Sequence, residues 1–272
     1  MGPSRLARSL GAFLLINPRS GEDSPSAEEL AAEAEARGIE AHVMQEGEDL
    51  VELARGAEAD KLGMAGGDGS LAPVAEVALG RDVPFVSIPF GTRNHFARDL
   101  GLDRDDPIGA LRAFDGTERR IDVGRANERL FLNNVSLGLY ARLVHRREHH
   151  RRRRETLARI RAWAIVVTHR EHLGITIDGK AAETRLLLVA NNGYVLELPS
   201  LGERERLDEG KLHLYVQGGE PPERVGERFV VDAAAGRLEA AVDGEPEVLK
   251  TPIDFRIEPR ALRVLVPAGD GG

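Results

Sequence analysis

The chain of 272 residues contains no cysteine. That excludes disulfides and thiolate chemistry and fits a cytoplasmic protein. No apolar run approaches the roughly 18 residues that a membrane-spanning helix needs. The basic start, Met1 to Arg8, leads into the apolar stretch Gly11–Ile16. That stretch is short, has no small-residue cleavage site after it and stops at Asn17-Pro18, so it reads as a first strand and not as a secretory signal. There is no Gly-Lys-Ser/Thr, hence no P-loop, and no Gly-x-Gly-x-x-Gly after the first strand, hence no dinucleotide fingerprint of the usual kind. Internal repeats are lacking, and low complexity is limited to Arg151–Arg154. Acidic residues outnumber basic ones 45 to 37, for a net charge of −8, which argues against wholesale nucleic-acid binding.

What is present is a globular composition, 42% hydrophobic and 30% charged, long enough for one large or two ordinary domains. The first 121 residues alternate strand and helix. Strands are expected at Ala12–Ile16, Ile39–Met44, Leu62–Ala65 and Val83–Ile88. Helices are expected from a Ser26/Glu29 capping box to Arg37, over Glu48–Ala59, over Leu71–Leu79, and from Asp106-Pro107 onward. This alternation implies right-handed crossovers and a Rossmann-like, mostly parallel sheet. From residue 122 to 272 short strands dominate: Leu130–Val135, Gly174–Asp178, Arg185–Ala190, Leu212–Gln217, Leu238–Val242 and Ile253–Ile257. Asp178-Gly179 and Asp243-Gly244 are hairpin turns. One helical segment, about Leu139 to His169, interrupts them. The expectation is an α/β domain over 1–121 and a β-rich, sandwich-like domain over 122–272. A last strand, about 261–267, packs back on the first domain.

Two glycine-rich segments stand out, Gly66-Gly67-Asp68-Gly69-Ser70 and Pro89-Phe90-Gly91-Thr92-Arg93-Asn94-His95-Phe96-Ala97. Each follows a buried-strand pattern and opens into a helix, with Ser70 read as the cap of the first. Glycines let backbone N–H groups approach phosphate oxygens, and a helix N-terminus adds a favourable dipole. Open parallel sheets hold nucleotides at such turns. Asp68 is out of place in a phosphate loop unless its carboxylate meets a cation or a proton.

These segments resemble the catalytic domain of the diacylglycerol kinases, a superfamily that includes bacterial lipid kinases and the sphingosine and ceramide kinases. Gly66–Ser70 is similar to its Gly-Gly-Asp-Gly-Thr signature, Asn17-Pro18-Arg19-Ser20-Gly21 to its opening loop, and Pro89–Gly101 to its Pro-x-Gly-Thr-x-Asn-Asp-Phe-Ala block. Ile121-Asp122, Asn133–Gly138, Asp208-Glu209-Gly210-Lys211-Leu212 and Asp243-Gly244-Glu245 follow in the family's order. The resemblance implies an ATP- and Mg²⁺-dependent lipid kinase with a nucleotide cleft between its two domains. Asn17, Gly66, Gly67, Asp68, Gly69, Ser70, Gly91, Thr92 and Asn94 would hold the ATP. Asp68 and Glu245 would be the catalytic carboxylates, Glu245 as the general base toward the lipid hydroxyl. Asp122 would belong to a carboxylate–water–Mg²⁺ network, and Arg206, Glu209 and Lys211 to a structural Mg²⁺ site held partly through backbone carbonyls.

The chain departs from that pattern in places. Ser70 replaces Thr and keeps the hydroxyl. Glu209 replaces the metal-site Asp and reaches further. His95 replaces the Asp that follows Asn94, removing a carboxylate. Gln45 or Glu46 stands where the family has a nucleotide-contacting Thr. Two other readings follow from these features. One is a weak or idle nucleotide- or lipid-binding paralogue, to which His95 and Glu209 point. The other is an NAD kinase-like activity, which shares the Gly-Gly-Asp-Gly loop but not Gly91-Thr92-x-Asn94. Between Arg142 and Glu171 ten arginines stand against three glutamates. The cluster Arg146–Arg154 is either a solvated helical face or a contact for anionic head groups, giving a peripheral membrane location. It has no interleaved aromatics, so nucleic acid is not the expected partner.

Overall fold

The computed structural model describes residues 11–20, 25–91, 94–138, 172–194 and 203–268. Thr92, the expected helix from Leu139 to His169 and the cluster Arg146–Arg154 lie outside the described residues. The chain forms two compact units, one of residues 1–120 with 262–272 and one of residues 121–261.

The first unit is α/β. Its strands are β1 (Gly11–Ile16), β2 (Ile39–Val43), β3 (Ala59–Gly66) and β4 (Phe85–Pro89), all parallel, in the order β2-β1-β3-β4. A further segment, Leu262–Val266, joins β4 in parallel, with Val264 beside Phe85. Leu14, Leu15 and Ile16 on β1, Leu62 and Met64 on β3, and Phe85 on β4 are fully buried. Continuous apolar strands of this kind are what a sheet covered on both faces requires.

The helices are set by local chemistry. α1 (Ala27–Ala36) starts at the expected capping box: Ser26 Oγ accepts from Glu29 N, and the Glu29 carboxylate accepts from Ser26 N. It buries Ala27, Leu30 and Ala34 along one stripe. α2 (Leu50–Gly56) is capped by Asp49 and is shorter than expected. Ala57 is already extended, and Ala59, expected as the end of that helix, begins β3. α3 (Asp68–Gly80) starts three residues before its expected position. α4 (His95–Asp99) and α5 (Pro107–Ala110) follow, the latter with Asp106 accepting from Gly109 N and Pro107 at its first position.

The second unit is β-rich and antiparallel. Its strands, some running in from the first unit, are β5 (Thr117–Ala126), β6 (Arg129–Phe131), β7 (Asn134–Gly138), β8 (Ile175–Ile177), β9 (Lys180–Ala182), β10 (Leu186–Asn191), β11 (Leu212–Val216), β12 (Glu223–Gly226), β13 (Arg228–Ala233), β14 (Arg237–Val242), β15 (Glu245–Lys250) and β16 (Ile253–Val266). Six of them form a sheet in the order β12-β11-β10-β7-β14-β15. Within this unit β16, β13, β8 and β9 form a second group. Val135, Leu187 and Leu214 from the first sheet share one core with Ile177, Val231 and Phe255 from the second group, which makes the unit a sandwich. Both Asp-Gly pairs are two-residue hairpin turns with both residues at positive φ, Asp178 (51°) with Gly179 (77°) and Asp243 (48°) with Gly244 (88°). The single strand expected over Leu130–Val135 is instead the pair β6 and β7. The backbone N–H groups of Leu132, Asn133 and Asn134 turn to the Asp243 carboxylate between them.

Candidate functional site

In the first unit three loops meet at the carboxyl edge of the sheet. Register aligns Ile16 with Ala65 and Gly66 with Pro89, so the chain leaves β1, β3 and β4 at the same level. Asn17 follows β1, Gly67 follows β3, and Phe90-Gly91 follows β4. The order β2-β1-β3-β4 reverses direction between β1 and β3, and crevices at such reversals are where open α/β sheets hold ligands. Asn17 N donates to Ala65 O at 2.9 Å, and its Oδ1 accepts from Arg19 N at 3.0 Å, which folds the Asn-Pro-Arg-Ser loop back over the strand end.

Proximity, not an unusual φ, is what demands glycine here. Gly66, Gly67 and Gly91 all lie outside the positive-φ region. A Cβ on Gly91 would stand 2.6 Å from Gly67 Cα and 3.0 Å from Gly67 N, so the two glycine segments cross backbone on backbone. One on Gly66 would meet Ser70 Oγ. Over Gly67 the space is open among the described residues, with Ser20 Oγ at 4.0 Å. Gly67 is the N-cap of α3 and, having no side chain, makes no side-chain cap bond to the helix. Asp68, Gly69 and Ser70 form the first turn, whose amides lack the i−4 partner of a helix interior, and Ser70 N donates to Gly67 O at 3.0 Å. Ser70 is therefore inside the helix and not its cap. Its Oγ donates to Gly67 O at 2.8 Å.

Asp68 is engaged. Its Oδ2 accepts from His95 N at 3.1 Å and its Oδ1 from Phe96 N at 3.0 Å, the first amides of α4. Asn94, just before them, is buried in the left-handed region (φ 46°, ψ 44°). Its Nδ2 donates to Gly91 O at 2.7 Å, while its Oδ1 has no hydrogen-bond partner among the described residues. His95 is exposed. Beside the Asn17 loop, Arg19 pairs with Glu46 at 2.9 Å on the surface. The backbone N–H of Gln45 and then His42 hold the Glu48 carboxyl below its ordinary value.

In the second unit carboxylates staple backbone. Asp122, 1% exposed, accepts from Gly210 N at 2.6 Å and from Arg260 N at 2.7 Å. Asp243 takes three consecutive amides, Leu132, Asn133 and Asn134, at 2.7–3.0 Å. The turn that Asp243 anchors leads directly to Glu245, exposed at the start of β15. Arg204, 4% exposed, donates to the carbonyls of Leu132 and Asn191 and to Asn133 Oδ1. Asn191 ties Asp122 O to Leu132 O, and Asn192 Oδ1 accepts from Glu209 N.

The residues expected to hold a structural metal are engaged with protein partners. Both Asp122 oxygens are taken by backbone N–H groups. Glu209 Oε2 meets His213 Nε2 at 3.0 Å and accepts from Gly193 N at 3.2 Å. The Lys211 carbonyl accepts from Asn192 N, and its ammonium pairs with Glu227 at 2.7 Å. Arg206 turns to Asp208. No group of three His, Cys, Asp or Glu among the described residues could hold a metal ion. The longer reach of Glu209 brings it to a histidine. His213 Nδ1 meets Glu223 at 2.7 Å on its other side. Tyr215 stacks on His213, and burial pushes its hydroxyl up to about 12.

Asp243, Arg204, Asn191, Asn192 and His213 escape a reading of the sequence as functional supports. The partners of Asp243 are 110 residues away in the chain, while Asn192 and His213 meet Glu209 17 and 4 positions away. The one local hint is the Asn-Asn-Gly run that ends a strand. A cavity of about 620 Å³ lies at the opposite, amino-terminal edge of the first unit's sheet, lined by Lys61, Pro84, Phe114, Glu118 and Arg263 among others. Its charges are already used: Arg263 bonds both Glu118 oxygens, and Lys61 donates to Phe114 O. Among the described residues no helix is long and apolar enough to cross a membrane.

Comparison with known proteins matches residues 11–126 to the family described as "Diacylglycerol kinase catalytic domain". Over 297 aligned residues the chain is 28% identical to "Probable lipid kinase YegS-like" of Pseudomonas aeruginosa, covering 94% of each protein. It is 32% identical over 129 residues to "Diacylglycerol kinase" of Mycobacterium tuberculosis, covering 42% of this chain and 40% of that one. Its fold is similar to the crystal structure of a diacylglycerol kinase from Bacillus anthracis str. Sterne, with a TM-score of 0.68 at 18% identity, covering 94% of this chain and 97% of that one.

Proposed function

Because residues 11–126 belong to the diacylglycerol kinase catalytic domain family, a family of kinases, we propose that this chain transfers the γ-phosphate of ATP to a lipid hydroxyl. The observation that carries the reading is the crossing of Gly67 and Gly91 at the N-terminus of α3, beside Asn17 at the sheet's reversal point. That edge offers what a nucleotide phosphate needs: open space over Gly67 among the described residues and the first amides of a 13-residue helix. Asn17, Gly66, Gly67, Gly69, Ser70, Gly91, Thr92 and Asn94 are the residues assigned to the phosphates. The first unit is the nucleotide-binding one and the second the lipid-binding one in this reading.

Phosphoryl transfer needs positioning and charge neutralisation more than covalent help. Mg²⁺ carried by the ATP supplies neutralisation when bound, and no residue of the chain is assigned to it. Glu245 is the proposed general base. It follows a rigid two-residue turn whose Asp243 is fixed by three hydrogen bonds, so its backbone position is well determined. A positioned base contributes roughly 10²- to 10⁴-fold.

Purified protein with Mg²⁺ and labelled ATP should phosphorylate extracted lipid, and Glu245→Gln should remove that transfer while leaving ATP binding unchanged. Absence of transfer to any lipid class, with no ATP binding by calorimetry, would sink the proposal. A second reading, a nucleotide-binding paralogue without turnover, is favoured by His95 alone. Transfer that appears only in His95→Asp would establish it. The basic cluster Arg146–Arg154 is assigned to anionic membrane surfaces, at about 1 kcal/mol per basic residue near such a surface. Salt-sensitive binding to anionic liposomes, lost when Arg151–Arg154 are changed to Gln, tests this.

A further inference from the structure

The loops that follow β1 and β2 are joined by one ion pair. Arg19, in the Asn17 loop, donates through Nη2 to Glu46 Oε1 at 2.9 Å. Glu46 Oε2 has no partner among the described residues. Both side chains are exposed, and such a pair adds little to stability. Two observations give it another task. First, the turn that carries Glu46 is fixed. Met44 N donates to Ile16 O at 2.9 Å, and the Glu48 carboxylate accepts from Gln45 N at 2.7 Å and meets His42 Nε2 at 2.8 Å. Second, β2 lies two strands from β3 in the order β2-β1-β3-β4, so this turn stands about 10 Å along the sheet edge from Gly67. The crevice at the sheet's reversal lies between β1 and β3. A nucleotide whose phosphates sit over Gly67 and Gly91 therefore extends its ribose toward β2. In open α/β sheets an acidic residue in this region reads a ribose hydroxyl.

We propose that Glu46 selects the sugar of the nucleotide: its carboxylate accepts a hydrogen bond from the ribose 2′-hydroxyl. The inference rests on the nucleotide reading above and adds to it a preference for ribonucleotides over deoxyribonucleotides. An ionised carboxylate only accepts, so it suits the O–H of a ribose and not the oxygens of a phosphate. Bare, it would repel a triphosphate close by. The Arg19 guanidinium on Oε1 offsets that repulsion and leaves Oε2 for the sugar.

Calorimetry on the full chain, with ATP and with 2′-deoxy-ATP in the presence of Mg²⁺, tests the assignment. The wild type should bind ATP about tenfold more tightly than 2′-deoxy-ATP, as expected for one hydrogen bond to a charged group. In Glu46→Ala, ATP affinity should fall by about that factor and the ratio of the two affinities should collapse to about one. A merely structural role cannot move that ratio. Equal loss of both nucleotides in Glu46→Ala therefore overturns the proposal. Tighter binding of both overturns it too, since Glu46 would then be a competitor that holds Arg19 away from the phosphates. Wild-type protein that binds both nucleotides equally well overturns this inference alone. Wild-type protein that binds neither fails the nucleotide reading itself and takes this inference with it.

Discussion

The two units hold their polar sites together by opposite means. In the first, backbone meets backbone: glycines at 66, 67 and 91 let two loops touch, and one carboxylate, Asp68, ties the second loop down. In the second, buried side chains do the holding. Asp122, Asp243, Asn191 and Arg204 gather segments that are far apart in sequence. A site made of bare backbone can receive a ligand, because its donors still point outward. A site made of saturated side chains has spent its donors on itself. In the proposed reading the first unit's loops take the nucleotide, and the second unit's network gives rigidity to the segment that carries Glu245. Three acidic residues of the resembling motifs, Asp68, Asp122 and Asp243, share one physical habit: each carboxylate captures backbone amides from a distant segment.

The contrast is most easily broken at Asp243. Asp243→Ala strands three backbone donors, and a loss of about 3 kcal/mol or more is expected in urea unfolding of the full chain. Asp243→Asn, which retains one accepting oxygen, should fall between. A neutral Asp243→Ala would mean the network is decorative. Next comes Gly91→Ala. Its Cβ would press on Gly67, so ATP affinity should drop about tenfold or more while unfolding changes less, as overpacking costs roughly 1–3 kcal/mol. An unaltered affinity would detach the crossing from ligand binding.

A smaller effect calibrates what exposed pairs are worth. Bonding to Arg263 holds the Glu118 carboxyl below its ordinary 4.5. Because the folded-state value is depressed, the pair stabilises the fold at neutral pH. That contribution is lost as pH falls below about 4.5, where the unfolded chain takes up the proton first. Glu118 is 38% exposed, so Glu118→Gln should cost under about 1 kcal/mol at pH 7 and nothing in strong acid, read from melting temperatures across that range. The smallest effect expected is none. Chelation with EDTA should leave the melting temperature unchanged, since the 206–211 loop is held by Asp122, Asn192 and the His213 bridge. A structural cation at a hundredfold excess over its Kd would add about 2.7 kcal/mol, so its removal could not pass unnoticed.

Local signals in the sequence were dependable where the physics is local. The Ser26/Glu29 box, Asp106-Pro107 and both Asp-Gly turns depend on neighbours within three residues, and all form as read. The parallel α/β pattern followed from apolar strands alternating with capped helices. Elements whose partners are remote were hidden. β15 begins Glu-Pro-Glu and is only intermittently buried, because it is an edge strand, and β5 opens with four exposed residues. β3 starts early, at Ala59, since register with β1 overrides a weak helical pattern. The glycine segments were legible as phosphate-binding candidates, but the engagement of Asp68 was not. Nothing near residue 68 announces that its partners are the amides of 95 and 96. Likewise Glu209 reads as a metal-site residue until its histidine partner, four positions on, is seen across the strand start.

The last strand carries a consequence for how the chain is made. β16 begins among residues of the second unit, and from Leu262 it belongs to the first, alongside β4. In chain order the second unit is nested inside the first. A nascent chain therefore emerges with its first 120 residues unable to finish their sheet, and the flank of β4 stays open until the final stretch is synthesised. An open strand edge invites mispairing. Truncation just before Leu262 should thus harm the earliest-made unit most, and that unit is the last to be completed.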